Sequence, residues 1–209
     1  PWDSIRYYKF FLHAGLLSVD PLTGYVKAYV GGVNFKHFKY DHVREGKRQV
    51  GSTFKPFVYA LAIQEGYSPC YKVPNVKVTI ETPSGPWSPD NSDNKYGGML
   101  SLKEGLAESV NCISAYLMKQ FGPKAVVDIA HKMGIQSTLE AVPSLCLGTA
   151  DLSVYEMVGA YGTFANKGVW TEPVYITRIE DNNGVVLQEF IQKKVEAISE
   201  ETAYLMLST

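Results

Sequence analysis

Ser52 and Lys55 carry the first chemical signal in this sequence. On helical backbone a serine three residues ahead of a lysine lies about one turn from it, on the same face. A serine hydroxyl is a weak nucleophile until a neighbour takes its proton. A lysine can take that proton only if desolvation or nearby cations depress its pKa. Backbone N–H groups at a helix start can also steady a developing oxyanion. The pair therefore suits acyl transfer through a serine ester. The plainer alternative is a serine that caps a helix and a lysine that is solvated in its first turn. An isolated S-x-x-K pattern favours that alternative, and the pattern recurs at Ser92-Asp93-Asn94-Lys95. Context separates the two copies. Ser52 follows a glycine, precedes an apolar helix and is followed downstream by a second motif.

The elements that must position this pair are legible nearby. Apolar residues at Phe54, Phe57, Val58, Leu61 and Ala62 follow the i, i+3, i+4, i+7 spacing of an amphipathic helix. Ser52 or Thr53 can cap it, Pro56 falls in its first turn, and Gly66 ends it. A serine–lysine site also needs a group to relay a proton and an amide to hold substrate, and S-x-N supplies both. It occurs as Ser92-Asp93-Asn94 in a proline-rich stretch and as Ser109-Val110-Asn111, 57 residues past Ser52 (109 − 52). We favour Ser109 and Asn111, which fall late in a helical segment; on spacing alone, Ser109 could equally cap the next helical turn.

The remaining pattern describes an α+β chain with no internal repeat. Residues 1–13 read as an amphipathic lead-in with Ile5, Tyr8, Phe11 and Leu12 on one side. Residues 14–19 and 25–30 form a hairpin across Asp20-Pro21-Leu22-Thr23-Gly24. Residues 33–48 are a polar, aromatic and basic surface loop. Residues 67–100, rich in proline and glycine, are an extended loop with a short strand at 76–80, and Trp87 and Tyr96 mark it as an ordered cover over a site. Capping boxes at Ser101–Glu104 and Ser153–Glu156 open helices, with another helix over 124–133. A second hairpin turns at Asp181-Asn182-Asn183-Gly184, between strands at 169–180 and 185–190, and a last helix starts at Ser199.

Composition bounds the function. At 209 residues the chain is one large domain or a piece of one, and a net charge of −1 gives no reason to expect nucleic acid or an anionic membrane as partner. Cys70, Cys112 and Cys146 lack metal-ligand spacing and read as buried small hydrophobes; no metal or other cofactor is expected. No apolar run is long enough to span a bilayer.

Gly51-Ser52-Thr53-Phe54-Lys55-Pro56-Phe57, preceded by Arg48-Gln49, resembles the active-site signature of class A penicillin-binding proteins. The resemblance runs over nearly the whole chain. It takes in Val19-Asp20-Pro21 with Thr23-Gly24 and Val30-Gly31-Gly32, the loop with Trp87-Ser88-Pro89, Asn91 and Tyr96-Gly97-Gly98, and residues 102–111. It continues through Leu147-Gly148, Ala160-Tyr161 and Phe164-Ala165-Asn166-Lys167-Gly168. It implies the penicillin-binding transpeptidase or serine β-lactamase-like fold, a helical region packed with an antiparallel sheet. It also implies a D,D-transpeptidase that cross-links peptidoglycan stem peptides and is acylated by β-lactams. Ser52 would be the nucleophile, Lys55 its base, Ser109 a proton shuttle and Asn111 a substrate clamp. Trp87, Asn91 and Tyr96 would line the substrate cleft.

The family's third motif, K-[ST]-G, is absent; Lys95-Tyr96-Gly97 does not match it. Residues 1–209 are therefore expected to be the N-terminal and central part of one transpeptidase domain, inactive or poorly folded alone. A glycosyltransferase domain and a membrane anchor outside this chain, and an extracytoplasmic location, follow from the resemblance only. A class A β-lactamase fits poorly, because no glutamate has asparagine four residues later. A D,D-carboxypeptidase, a β-lactam-sensing domain and a non-catalytic wall-binding module stay open.

Overall fold

The computed structural model describes residues 2–209, with the exception of the Tyr8 side chain; the expected place of Tyr8 on the lead-in helix lies outside the described residues. The chain opens with helix α1 (Trp2–Phe10), then the antiparallel pair β1 (Leu16–Val19) and β2 (Val26–Val30). The expected turn joins them: the Asp20 carboxylate accepts the N–H groups of Leu22 and Thr23. Ile5 and Leu12 are exposed, so α1 does not bury the apolar side its pattern describes.

Strand β3 (Lys47–Gln49) leads into a 3-10 turn over Gly51–Phe54 and then helix α2 (Lys55–Gln64). The α-helix thus begins at Lys55, one or two residues later than a cap at Thr53 or Ser52 would place it. Neither Ser52 nor Thr53 caps it; the Thr53 hydroxyl donates to the Val50 carbonyl at 2.7 Å instead. Pro56 does sit at the helix start, and Gly66, at φ +92°, ends the element. Nor is α2 amphipathic. Lys55 and every residue from Phe57 through Ile63 are buried, which is the signature of a helix packed on all sides.

The long connection that follows is built from two strand pairs rather than one loop. β4 (Lys72–Pro74) pairs with β7 (Met99–Ser101), and between them β5 (Ile80–Thr82) pairs with β6 (Gly85–Trp87). The expected strand at 76–80 is displaced to the second pair. Helices α3 (Leu102–Ala107), α4 (Asn111–Phe121) and α5 (Pro123–Lys132) follow. Both capping boxes form: Ser101 with Glu104 opens α3, and Ser153 with Glu156 opens α6 (Val154–Ala165), which follows β8 (Asp151–Ser153). Strand β9 (Val169–Thr171) comes next; β10 (Arg178–Glu180) and β11 (Val186–Glu189) make the second hairpin. β9 is not part of that hairpin. It pairs with β12 (Lys194–Glu196), ahead of the last helix, α7 (Glu200–Ser208).

The core forms where α4, α5 and α7 pack around α2, with Phe57, Val58, Ile113, Leu117, Met118 and Val126 among its buried side chains. Truncating such a residue, Phe57→Ala for example, costs about 3–5 kcal/mol. The fold is α+β, with helices at the centre and antiparallel strand pairs around them. Among the described residues no helix is long and apolar enough to cross a membrane. Cys112 and Cys146 are buried as expected, but Cys70 is exposed in the turn before β4.

Candidate active site

Helix α2 sends Lys55 into the protein from its first turn. The side chain is fully buried, and its ammonium donates three hydrogen bonds: to the Ser109 carbonyl at 2.5 Å, the Ser109 hydroxyl at 2.9 Å and Asn111 Oδ1 at 2.7 Å. An ammonium has three N–H bonds, so its donors are all used. No carboxylate pairs with it among the described residues. Burial lowers the Lys55 pKa from 10.5 to about 8. The titratable group that acts on it electrostatically is the buried Cys146, whose thiol burial pushes up to about 12 and so keeps neutral.

The three contacts differ chemically. A carbonyl and an amide oxygen only accept hydrogen bonds, whereas a hydroxyl both accepts and donates. Once Lys55 is neutral, with two N–H bonds and a lone pair, Ser109 is the one partner of the three that can turn its proton toward the amine. Ser109 thereby qualifies as a proton relay and Asn111 does not.

Ser109 and Asn111 reach Lys55 because the chain breaks between α3 and α4. The sequence pattern puts Ser109 late in a helix; it lies instead in the joint, at φ +55°, a left-handed conformation that costs a non-glycine residue about 1–2 kcal/mol. The joint is fixed by hydrogen bonds from Ser109 N–H to the Leu106 carbonyl (3.0 Å) and from Val110 N–H to the Gly105 carbonyl (2.8 Å). This turn delivers both the carbonyl and the hydroxyl of one residue to the same ammonium. Nor does Ser109 cap α4, which opens after Val110 with no side-chain cap.

Asn91 takes over that capping, and its neighbour Asp90 holds the Asn111 side chain. The Cys112 N–H, in the first turn of α4, donates to Asn91 Oδ1 at 3.0 Å, and Asn111 Nδ2 donates to the Asp90 carbonyl at 2.8 Å. Asn91 is buried, and its Nδ2 donates to Asn75 Oδ1 and to the Lys95 carbonyl, both at 2.8 Å. Its amide is spent inside the protein, which places Asn91 behind the site as a support for Asn111. Tyr96 is exposed; its hydroxyl donates to Asp90 Oδ1 at 2.6 Å, and it lines a hollow with Asn75, Asn91 and Ser109. Trp87 is half-buried in β6, packed against the core's edge, and does not line that hollow. Ser92, Asp93 and Asn94, the literal S-D-N, are exposed in the loop and make no contact with Lys55.

Ser52 is exposed in the 3-10 turn, with no hydrogen bond to its hydroxyl among the described residues, and its carbonyl accepts the Lys55 N–H. The turn is held from outside. Gly51 N–H donates to the Gly148 carbonyl at 2.9 Å, Val50 N–H to the Ala150 carbonyl at 3.1 Å, and the Tyr161 hydroxyl to the Thr53 carbonyl at 2.7 Å. Isolated residue types gave no signal for Gly148 or Tyr161 as supports; they figured only among the flanking matches of the family resemblance.

A free serine on a turn, a buried lysine of lowered pKa one turn on, and a serine–asparagine pair around that lysine make up the candidate site. Comparison with known proteins decides its family. The family model described as the penicillin-binding protein transpeptidase domain matches residues 15–208. The chain belongs to the penicillin-binding protein transpeptidase family.

Among members of this family, penicillin-binding protein 2D of Bacillus subtilis is 34% identical over 200 residues, covering 94% of this chain and 29% of that protein. Penicillin-binding protein 1A of Pseudomonas aeruginosa is 34% identical over 179 residues, covering 84% of this chain and 22% of that protein. The chain thus spans under a third of the length of these relatives. Of solved structures, penicillin-binding protein 1A from Haemophilus influenzae superposes with a TM-score of 0.84 at 27% identity, covering 93% of this chain and 34% of that one. PonA1 from Mycobacterium tuberculosis, in complex with penicillin V, gives 0.78 at 26% identity, covering 97% and 57%. The fold is that of the penicillin-binding transpeptidases, and the resemblance to class A penicillin-binding proteins holds.

Proposed function

We propose that Ser52 is the nucleophile of a D,D-transpeptidase that cross-links peptidoglycan stem peptides. The observation that carries this reading is the buried Lys55, held by Ser109 and Asn111 one turn from Ser52. Neutral Lys55 takes the Ser52 proton as Oγ bonds to the carbonyl carbon of the penultimate D-alanine. Ser109 passes a proton to the departing nitrogen as the peptide bond breaks and the terminal D-alanine leaves. An amine of a second stem peptide then attacks the ester, forms the new amide and returns Ser52 to its hydroxyl. Backbone N–H groups at the start of a helical turn are suited to steady the oxyanion that forms at each step. A β-lactam follows the first half of this path, its ring C–N bond opening to leave an acyl-enzyme. PonA1, whose structure holds penicillin V, supports this use of the fold.

In this reading Asn111 holds substrate from one side, with Tyr96 on the facing loop and Asn91 as its anchor, while Trp87 braces that loop against the core. Residues 1–209 are the N-terminal and central part of a single transpeptidase domain that acts outside the cytoplasm, with K-[ST]-G supplied by another segment. The test is intact mass of the full-length protein after exposure to a penicillin, with peptide mapping and Ser52→Ala as control. One adduct per protein on the peptide holding Ser52, absent in the variant, is expected. A folded protein that stays unmodified overturns the reading and favours a wall-binding module.

A further inference from the structure

Ser52 is flanked by two backbone contacts from distant parts of the chain. One residue before it, Gly51 N–H donates to the Gly148 carbonyl; one residue after it, the Thr53 carbonyl accepts from Tyr161. The second contact answers a local deficit. In a 3-10 turn a carbonyl accepts from the N–H three residues on. Three residues past Thr53 stands Pro56, which has no N–H. Tyr161, from the middle of α6, supplies the missing donor at 2.7 Å. Its ring is steered edge-on by Phe57 of α2 (centroids 6.2 Å, 84°) and by Phe164 of its own helix (5.9 Å, 90°). It is also 39% exposed, so its hydroxyl can be removed without opening the core.

We propose that Tyr161 is a positioning residue for Ser52, its hydroxyl fixing the Thr53 carbonyl and with it the direction in which the nucleophile leaves the turn. The inference rests on Ser52 being the nucleophile. Tyr161 touches neither substrate nor reacting atoms; it acts through the turn. A misplacement of about 1 Å at a reacting group can cost on the order of 100-fold in rate, and Ser52 has no hydrogen bond of its own to hold its hydroxyl.

Tyr161→Phe keeps both aromatic contacts and deletes only the donor. In the full-length protein we would measure the rate of acylation by a reporter penicillin, amide hydrogen exchange over residues 50–57, and thermal unfolding. The expected result is acylation slowed about 10-fold or more, with the loss in the bond-forming step rather than in binding. Exchange over 50–57 should quicken while the melting temperature changes little. Wild-type acylation with unchanged exchange in 50–57 overturns the proposal. So does a loss of acylation that matches a loss of folded protein, with Tyr161→Leu as the comparison for ring removal. If the wild-type protein forms no adduct at all, the acyl-enzyme reading fails, and the exchange measurement still judges the hydroxyl clamp.

Discussion

Gly148 approaches Gly51 so closely that a Cβ on Gly148 would lie 1.8 Å from the Gly51 carbonyl oxygen. Gly148 also holds φ +75°, a conformation that costs a side-chain-bearing residue about 1–2 kcal/mol before any clash. The contact is backbone against backbone, so it cannot be relieved by a rotamer change. Gly148→Ala is therefore expected to destabilise the protein by about 3 kcal/mol or more and to shift the turn that carries Ser52. Urea unfolding and penicillin acylation check this; a variant as stable and as reactive as wild type would show that the two segments separate freely.

The Lys55 pKa, lowered by burial to about 8, sets a pH profile. A base must be neutral to accept a proton, so acylation should rise with pH through about 8 and level off above it. Stability follows the same group. Between pH 8 and 10.5 the unfolded chain holds the lysine proton more tightly than the folded one, so unfolding free energy increases with pH across that window. Below about pH 8 both states are protonated and the full penalty of the buried charge is present. A rate profile flat from pH 6 to 9 would remove Lys55 as the base.

Ser109 and Ser92 stand as a matched pair for the proton relay. Ser109→Ala removes the hydroxyl 2.9 Å from Lys55 and should slow acylation about 100-fold. Ser92→Ala, in the exposed loop, should leave the rate unchanged. Reversal of that order would transfer the relay to the literal S-D-N.

Asn91 and Tyr96 separate support from contact. Asn91→Ala deletes three hydrogen bonds, two of them buried, including the one that caps α4 at Cys112, and should cost about 3 kcal/mol at roughly 1 kcal/mol each. Tyr96→Phe loses the surface hydrogen bond to Asp90 and the one its oxygen accepts from the Asn91 N–H, and should cost less than Asn91→Ala, about 1–2 kcal/mol. Equal effects in urea unfolding would mean that Asn91 does not anchor the loop.

What the sequence revealed follows the range of the interactions. Both capping boxes and both hairpin turns are written within a few adjacent residues, and each appears where it was read. The pairings of β3 with β8, β4 with β7 and β9 with β12 join segments far apart in sequence, and short strands with no alternation leave no local mark of them. Ser109 was legible as a residue but not as a conformation: Leu102 to Val110 carries helical apolar spacing, and the left-handed break is imposed by what the Ser109 carbonyl and hydroxyl reach. Asn91 was read as facing substrate because a polar residue in a cover loop has no sequence mark of burial. The all-round burial of α2 follows from three helices packing on it, which no local moment records.

The residue separations at the site also set an order of events during synthesis. Lys55 must wait for Ser109 and Asn111, 54 and 56 residues later, and Thr53 for Tyr161, 108 residues later. At roughly 5–20 residues per second, the last of these delays is on the order of 5–20 s. For about the first half of that interval the nascent chain lacks the residues that hold Lys55, and for all of it Thr53 lacks Tyr161. In the proposed mechanism the site is thus completed only once α6 has been made and the distant ends of these contacts close.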